Sequence, residues 1–159
     1  MGERKKLTKS QADDARKGLQ EWLSVMDFQL HEFIASLPAS VAAAMDFGRE
    51  SLDVLEAWLL DTYPTVDALR ATSQKTNWDR VGRYIGETFR RNTNARWDIE
   101  LEPDYAFFNV PQLDFPESAP TCPHSLGTAA LDRRTGRYIG NLLDRKITEM
   151  QAAGQKQKK

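Results

Sequence analysis

Residues 78–92 constrain the fold more than any other stretch. Trp78, Val81, Ile85, Phe89 and Asn92 recur at the spacing of one helix face, and Arg80, Arg83, Glu87, Arg90 and Arg91 fall opposite. Gly82 and Gly86 stand in or beside the apolar stripe, where each costs ~1 kcal/mol of helix propensity relative to Ala. Glycines in that place predict another element packed close against the backbone. The segment therefore predicts a two-sided helix, apolar and notched on one flank, cationic on the other. Gly82-Arg-Tyr-Ile-Gly86 recurs as Gly136-Arg-Tyr-Ile-Gly140, but the flanks differ, so no duplicated domain is implied. If the two faces pack on each other, the glycines let the axes approach closely.

The rest of the chain supplies partners for this helix. Ser10 and Asp13 read as a helix start. Leu19, Trp22, Leu23, Met26, Leu30, Phe33, Ile34 and Leu37 follow as one stripe over five turns, stopped by Pro38. Residues 41–45 form an Ala-rich bridge. A second helix begins near Gly48 or Arg49, with Leu52, Leu55 and Leu59 as its stripe, and ends at Pro64; 65–72 reads as a short helix. After Asn94 the period changes. Residues 97–101 alternate as a strand does, 106–112 are β-prone, and Pro103-Asp104 marks a turn, which predicts a β-hairpin. Pro111, Pro116, Pro120 and Pro123 predict an irregular crossing over 112–122. Pro123 then suits the first turn of a helix reaching about Arg134, and a last helix follows Thr135-Gly136.

These elements predict an α+β fold: one predominantly helical domain over 10–152, with a small antiparallel β-hairpin packed on the helices. Residues 1–9 and 153–159 are expected to be flexible basic ends. The expected core is Trp22, Leu23, Leu52, Leu55, Leu59, Trp78, Ile85, Phe89, Ile139 and Leu143. The length, 159 residues, suits one domain with a real core.

Charge is distributed in blocks. The net charge of −1 argues against a chain built mainly to hold nucleic acid. Residues 24–73 carry eight acids and two bases, 74–97 six bases and two acids, and 98–120 six acids and no base. Such blocks either neutralise one another in the fold or leave an acidic face for a basic partner. No apolar run is long enough to span a membrane, and no apolar stretch follows the basic first ten residues as in a secretion signal. The single cysteine, Cys122, excludes an internal disulfide and suits a reducing cytoplasm, the expected location.

Recognisable catalytic motifs are few. His31-Glu32 begins like a zinc-protease helix, but position 35 is Ala. Cys122 and His124 lack a second ligand pair, so neither metal nor cofactor is expected. Pro123 between them makes a Cys–His nucleophilic pair awkward. There is no Gly-rich phosphate loop and no G-x-S-x-G elbow. Asp46, Glu50 and Asp53 share a helical face that reads as solvated. Glu87 among Arg80, Arg83, Arg90 and Arg91 reads either as a recognition patch or as a salt-bridged surface.

Two stretches carry a resemblance. Residues 45–60, MDFGRESLDVLEAWLL, resemble a signature of small uncharacterised bacterial domains in which a Leu-Asp-aromatic-Ser-x-Glu-Ser-Leu run opens a helix. Residues 84–92, YIGETFRRN, with Trp97, resemble the later Tyr-x-Gly-Glu…Trp signature of the same domains. The matching positions are Asp46, Glu50, Ser51, Leu52, Leu55 and Glu56, then Tyr84, Gly86, Glu87 and Trp97; Gly48 departs from the usual Ser. Some such domains are similar to immunity proteins of bacterial toxin systems, which implies binding and not a reaction. The first expectation is therefore a non-enzymatic protein-binding domain using Tyr84, Glu87 and Arg91 with the acidic residues Glu100, Glu102, Asp104, Asp114 and Glu117. The second is nucleic-acid binding through Arg80, Arg83, Arg90 and Arg91, beside Trp78, Tyr84 and Trp97. The third is a dispersed active site using Glu87, Asp98 or His124, which requires a cavity beside one of them.

Overall fold

Thr8 opens the first helix. Its hydroxyl accepts from the Gln11 N–H at 3.1 Å, and the Gln11 side chain accepts from the Thr8 N–H at 2.9 Å, a reciprocal cap that places the start two residues before Ser10. The computed structural model describes residues 6–157, with side chains to 156; the basic residues of 1–5 and 158–159 lie outside this range. Helix α1 (Lys9–Ser24) ends where the Ser24 hydroxyl turns back to the Glu21 carbonyl and Val25 leaves helical geometry. Helix α2 (Met26–Ser36) restarts at once. The 19–37 stripe is thus shared by two helices, not carried by one.

After α3 (Ala39–Ala42), helix α4 (Arg49–Thr62) begins behind Gly48, as expected. Thr65 caps the short α5 (Val66–Arg70), accepting from the Ala68 N–H. Helix α6 (Lys75–Asn92) follows, then α7 (Pro123–Arg133) with Pro in its first turn, and α8 (Tyr138–Gln157). Helix α8 continues past 153, so most of the expected flexible tail is helical.

The sheet departs from the expected hairpin. Strands β1 (Arg96–Ile99), β2 (Pro111–Phe115) and β3 (Ser118–Thr121) form an antiparallel sheet in the order β1-β2-β3. Trp97 pairs with Leu113, which turns both toward the helices. The aromatic run 105–110 forms turns and leaves Tyr105 and Phe107 exposed. The Pro-rich crossing supplies two strands. Pro111 opens β2 and Pro120 lies on the edge strand β3, places where a missing N–H is tolerated.

Helix α6 is the centre of the molecule. Every residue from Val81 to Phe89 is buried, so the helix is enclosed on both flanks. The two glycine notches are filled. A Cβ at Gly82 would fall on the His124 imidazole, and one at Gly86 on the Trp97 indole. The echoed pentapeptide has another use. Gly136 sits at φ 77° before α8, and Gly140 faces the Arg49 guanidinium, so the two glycine pairs do not face each other.

Leu52, Leu55, Leu59, Ile85, Phe89, Ile139 and Leu143 form the fully buried core. Trp22, Leu23 and Trp78 are half-buried at its margin. Both indoles stay there to reach polar partners: Trp22 Nε1 donates to Asp79, and Trp78 Nε1 to the His124 carbonyl. Among the described residues no helix is long and apolar enough to cross a membrane.

Candidate functional site

The charged flank of α6 is consumed inside the protein. Arg83 is only 3% exposed; its Nε donates to Asp79 at 2.7 Å, its Nη1 to the Trp22 carbonyl at 2.8 Å, and its guanidinium lies 4.0 Å over the Trp22 ring. Arg80 donates to Gln29 on α2. Glu87 is buried and receives Trp97 Nε1 at 2.8 Å and two donors from Arg90 at 2.8 and 2.9 Å. Burial opposes its ionisation, but the bonds from Arg90 and Trp97 prevail and hold the carboxyl below its usual range. Arg91 is half-exposed, leaning on Glu87 while its guanidinium covers Phe47 at 3.7 Å.

This corrects two expectations. Tyr84 and Glu87 are enclosed, and of the first set on α6 only Arg91 reaches solvent. The four arginines assigned to nucleic acid form no continuous surface, because Arg83 is internal and Arg80 is tied across helices. The residues behind the family resemblance are bonded to one another: Tyr84 donates to Ser51 Oγ at 2.7 Å, and Trp97 to Glu87. Glu56 accepts from the Tyr138 and Ile139 N–H groups at the start of α8.

Asp79 is the residue that sequence reasoning missed. Its Oδ1 accepts from Trp22 Nε1 at 2.9 Å and contacts His124 Nε2 at 3.0 Å, while Oδ2 accepts from Arg83. Burial would raise its pKa, but these three partners hold it at about 2. His124 shows the reciprocal effect: burial disfavours its charge, yet Asp79 and then Cys122 raise its pKa above the usual value. The contacts bridge 57 and 45 residues of sequence, which leaves no local pattern to read.

The acidic block behaves differently. β1 and β2 turn Asp98 and Asp114 to the outer face, where Arg96 lies across from Asp114, opposite Trp97, Ile99 and Leu113; Glu100 follows β1. Burial, then the hydrogen bond and charge of Asp98, push Asp114 up to about 6. Beyond β1 the chain turns at Glu102–Asp104 and is closed by the Asn109 N–H donating to the Glu100 carbonyl at 3.0 Å. This loop holds up Glu102, Asp104, Tyr105 and Phe107, with the aromatics 64% and 45% exposed. Glu117 lies in the β2–β3 turn, at the other end of β2 from this loop. Among the described residues, Asp98, Glu100, Glu102, Asp104, Asp114 and Glu117 form no salt bridge. An open depression of about 460 Å³ lies between Trp97, Asp98, Asp114 and Pro116.

Among the described residues, no three His, Cys, Asp or Glu side chains are grouped so as to hold a metal ion. Comparison with protein-family models, with curated proteins and with solved structures finds no match.

Proposed function

We propose that this chain is a protein-binding domain, of the adaptor or immunity-like kind, that takes a lysine- or arginine-rich segment of a partner protein on the surface built by Asp98, Glu100, Glu102, Asp104 and Asp114. The carrying observation is the mismatch between this block and the others. Arg49 is spent on Asp53 and Asp144, Arg83 on Asp79, and Glu87 on Arg90 and Trp97. The acids on β1, β2 and the following loop have no such internal cation among the described residues, and the exposed Tyr105 follows Asp104 in that loop. Aromatic anchors within a charged rim suit protein recognition. The charges accelerate encounter and reject acidic competitors, nucleic acid included. A lone thiol without a disulfide suits a cytoplasmic setting.

The test is a photo-crosslinking residue placed at Tyr105 in the native cell, with identification of the captured peptide. Support is a captured peptide of net positive charge whose purified protein loses about tenfold or more in affinity on E100K/E102K/D104K, and also weakens with added salt. Capture of acidic or neutral peptides, or affinity untouched by the charge reversal, overturns the reading.

A further inference from the structure

Away from the acidic face, a second feature lies where α5, α6, α7 and the 105–110 turns come together. A cavity of about 390 Å³ has Trp78, Phe107 and Val110 among its apolar walls and carries Arg70 and Lys75 on its lining. That volume falls within the range of about 300–1,000 Å³ that organic ligands occupy. Its charge is one-sided. Arg70 ends α5 and Lys75 opens α6, and among the described residues neither forms a salt bridge. The first turn of α6 holds no acid to offset Lys75. The Arg70 guanidinium lies 5.7 Å from the centroid of the Trp78 ring.

The other polar groups of the cavity are committed elsewhere. Both carboxylate oxygens of Asp79, the acid on the lining, are engaged by Trp22, His124 and Arg83. Ser125 and Thr128 donate their hydroxyl protons to the Cys122 and Ser125 carbonyls. Trp78 Nε1 donates to the His124 carbonyl, so this indole offers its ring and not its N–H. Phe107 is 45% exposed. Two cations and two aromatic rings are left to meet a ligand.

We propose that this cavity binds a small aromatic carboxylate, with its ring against Trp78 and Phe107 and its carboxylate toward Arg70 and Lys75. The rings supply apolar contact and offset or edge stacking for a flat body. The cations replace the water that the carboxylate gives up on entry, through charge-assisted hydrogen bonds. A neutral analogue keeps the stacking and loses those bonds. An aliphatic acid keeps the bonds and loses the stacking. The inference stands apart from the protein-binding reading, since none of Asp98, Glu100, Glu102, Asp104 or Asp114 lines the cavity.

The test is a titration of the isotope-labelled full chain at neutral pH, followed by amide and indole N–H correlation spectra. The probes are naphthalene-2-carboxylate, its neutral isostere naphthalene-2-carboxamide, and octanoate. The expected result is saturable shifts at the Trp78 indole N–H and at the Ala106, Phe107, Val110 and Thr128 amides. The aromatic carboxylate binds about tenfold or more tighter than the amide, and R70A/K75A closes that gap while leaving the amide's affinity in place. F107A weakens both naphthalene probes by about tenfold. Shifts that are scattered over the surface, or that fail to saturate with millimolar probe, overturn the site. Equal affinity for carboxylate and amide, or a preference that survives R70A/K75A, overturns the anionic class. Octanoate binding as tightly as naphthalene-2-carboxylate overturns the aromatic class. The comparison of the three probes on the wild-type chain decides the proposal even where a variant fails to fold.

Discussion

Tyr84 ties three segments with one hydroxyl. It donates to Ser51 on α4 and accepts from the Phe47 N–H at 3.0 Å, and its ring stacks on Phe47 at 4.9 Å. Phe47 sits in the left-handed region at φ 60°, a costly place for a large side chain, and is kept there by this contact and by Asn92 bonding its carbonyl. Tyr84→Phe leaves a half-buried N–H without a partner and is expected to cost ~1–3 kcal/mol in urea unfolding. The glycines offer a test of opposite sign. Gly86→Ala drives a Cβ into the Trp97 ring, and the resulting overpacking, ~1–3 kcal/mol or more, exceeds the ~1 kcal/mol gained in propensity. Gly18→Ala in α1 meets nothing within 4 Å and is expected to stabilise by ~1 kcal/mol. The need for glycine at 82 and 86 was legible from their place on an apolar stripe. What fills them was not, because His124 and Trp97 arrive from elements that spacing cannot orient.

Helix α8 depends on a residue far away in sequence. Glu56 is fully buried, and its carboxylate takes the Tyr138 and Ile139 N–H groups at 3.1 and 2.9 Å. A carboxyl group at the positive end of a helix satisfies N–H donors that have no partner within the helix. Glu56→Gln keeps the shape but removes the charge. It is expected to cost ~1–2 kcal/mol and to speed hydrogen exchange at the Ile139 amide before other core amides respond. An unchanged Ile139 amide would refute this capping role. At this scale the α-helical periodicities hold, because local spacing and caps decide them, except at Val25, which divides the 19–37 stripe between two helices. The strands were displaced because cross-strand partners decide them: aromatic 106–110 reads as β-prone, but 111–115 places Leu113 opposite Trp97.

The whole molecule carries titrations that work in opposite directions. Asp79, held at about 2, and Glu87, held below its usual range, stabilise the fold above the ordinary carboxylate pKa and lose that contribution as pH falls toward 2. Asp114, pushed up to about 6, favours the fold when protonated, so its contribution improves as pH falls through 6. His124, raised above its usual value, stabilises fully below 6.5 and loses that contribution as pH rises through its folded pKa. Stability is therefore expected to peak between about pH 4 and 6, measured by urea unfolding across pH. D114N should flatten the decline from pH 5 to 7; a maximum at pH 8 would contradict this account.

The sequence alone determined the helical α+β class, the helix starts at Gly48 and Pro123, and the block of acids without bases, because these follow from near-neighbour spacing and composition. Only the tertiary structure decided which charges are spent. Arg83 and Glu87 look as exposed as Arg91 on a helical wheel, and they are internal because α1 and β1 close over them with Trp22 and Trp97. It also decided that Arg70, Lys75, Trp78 and Phe107 meet at one cavity. A wheel records one helix, whereas burial and pairing depend on what the remaining chain places against it.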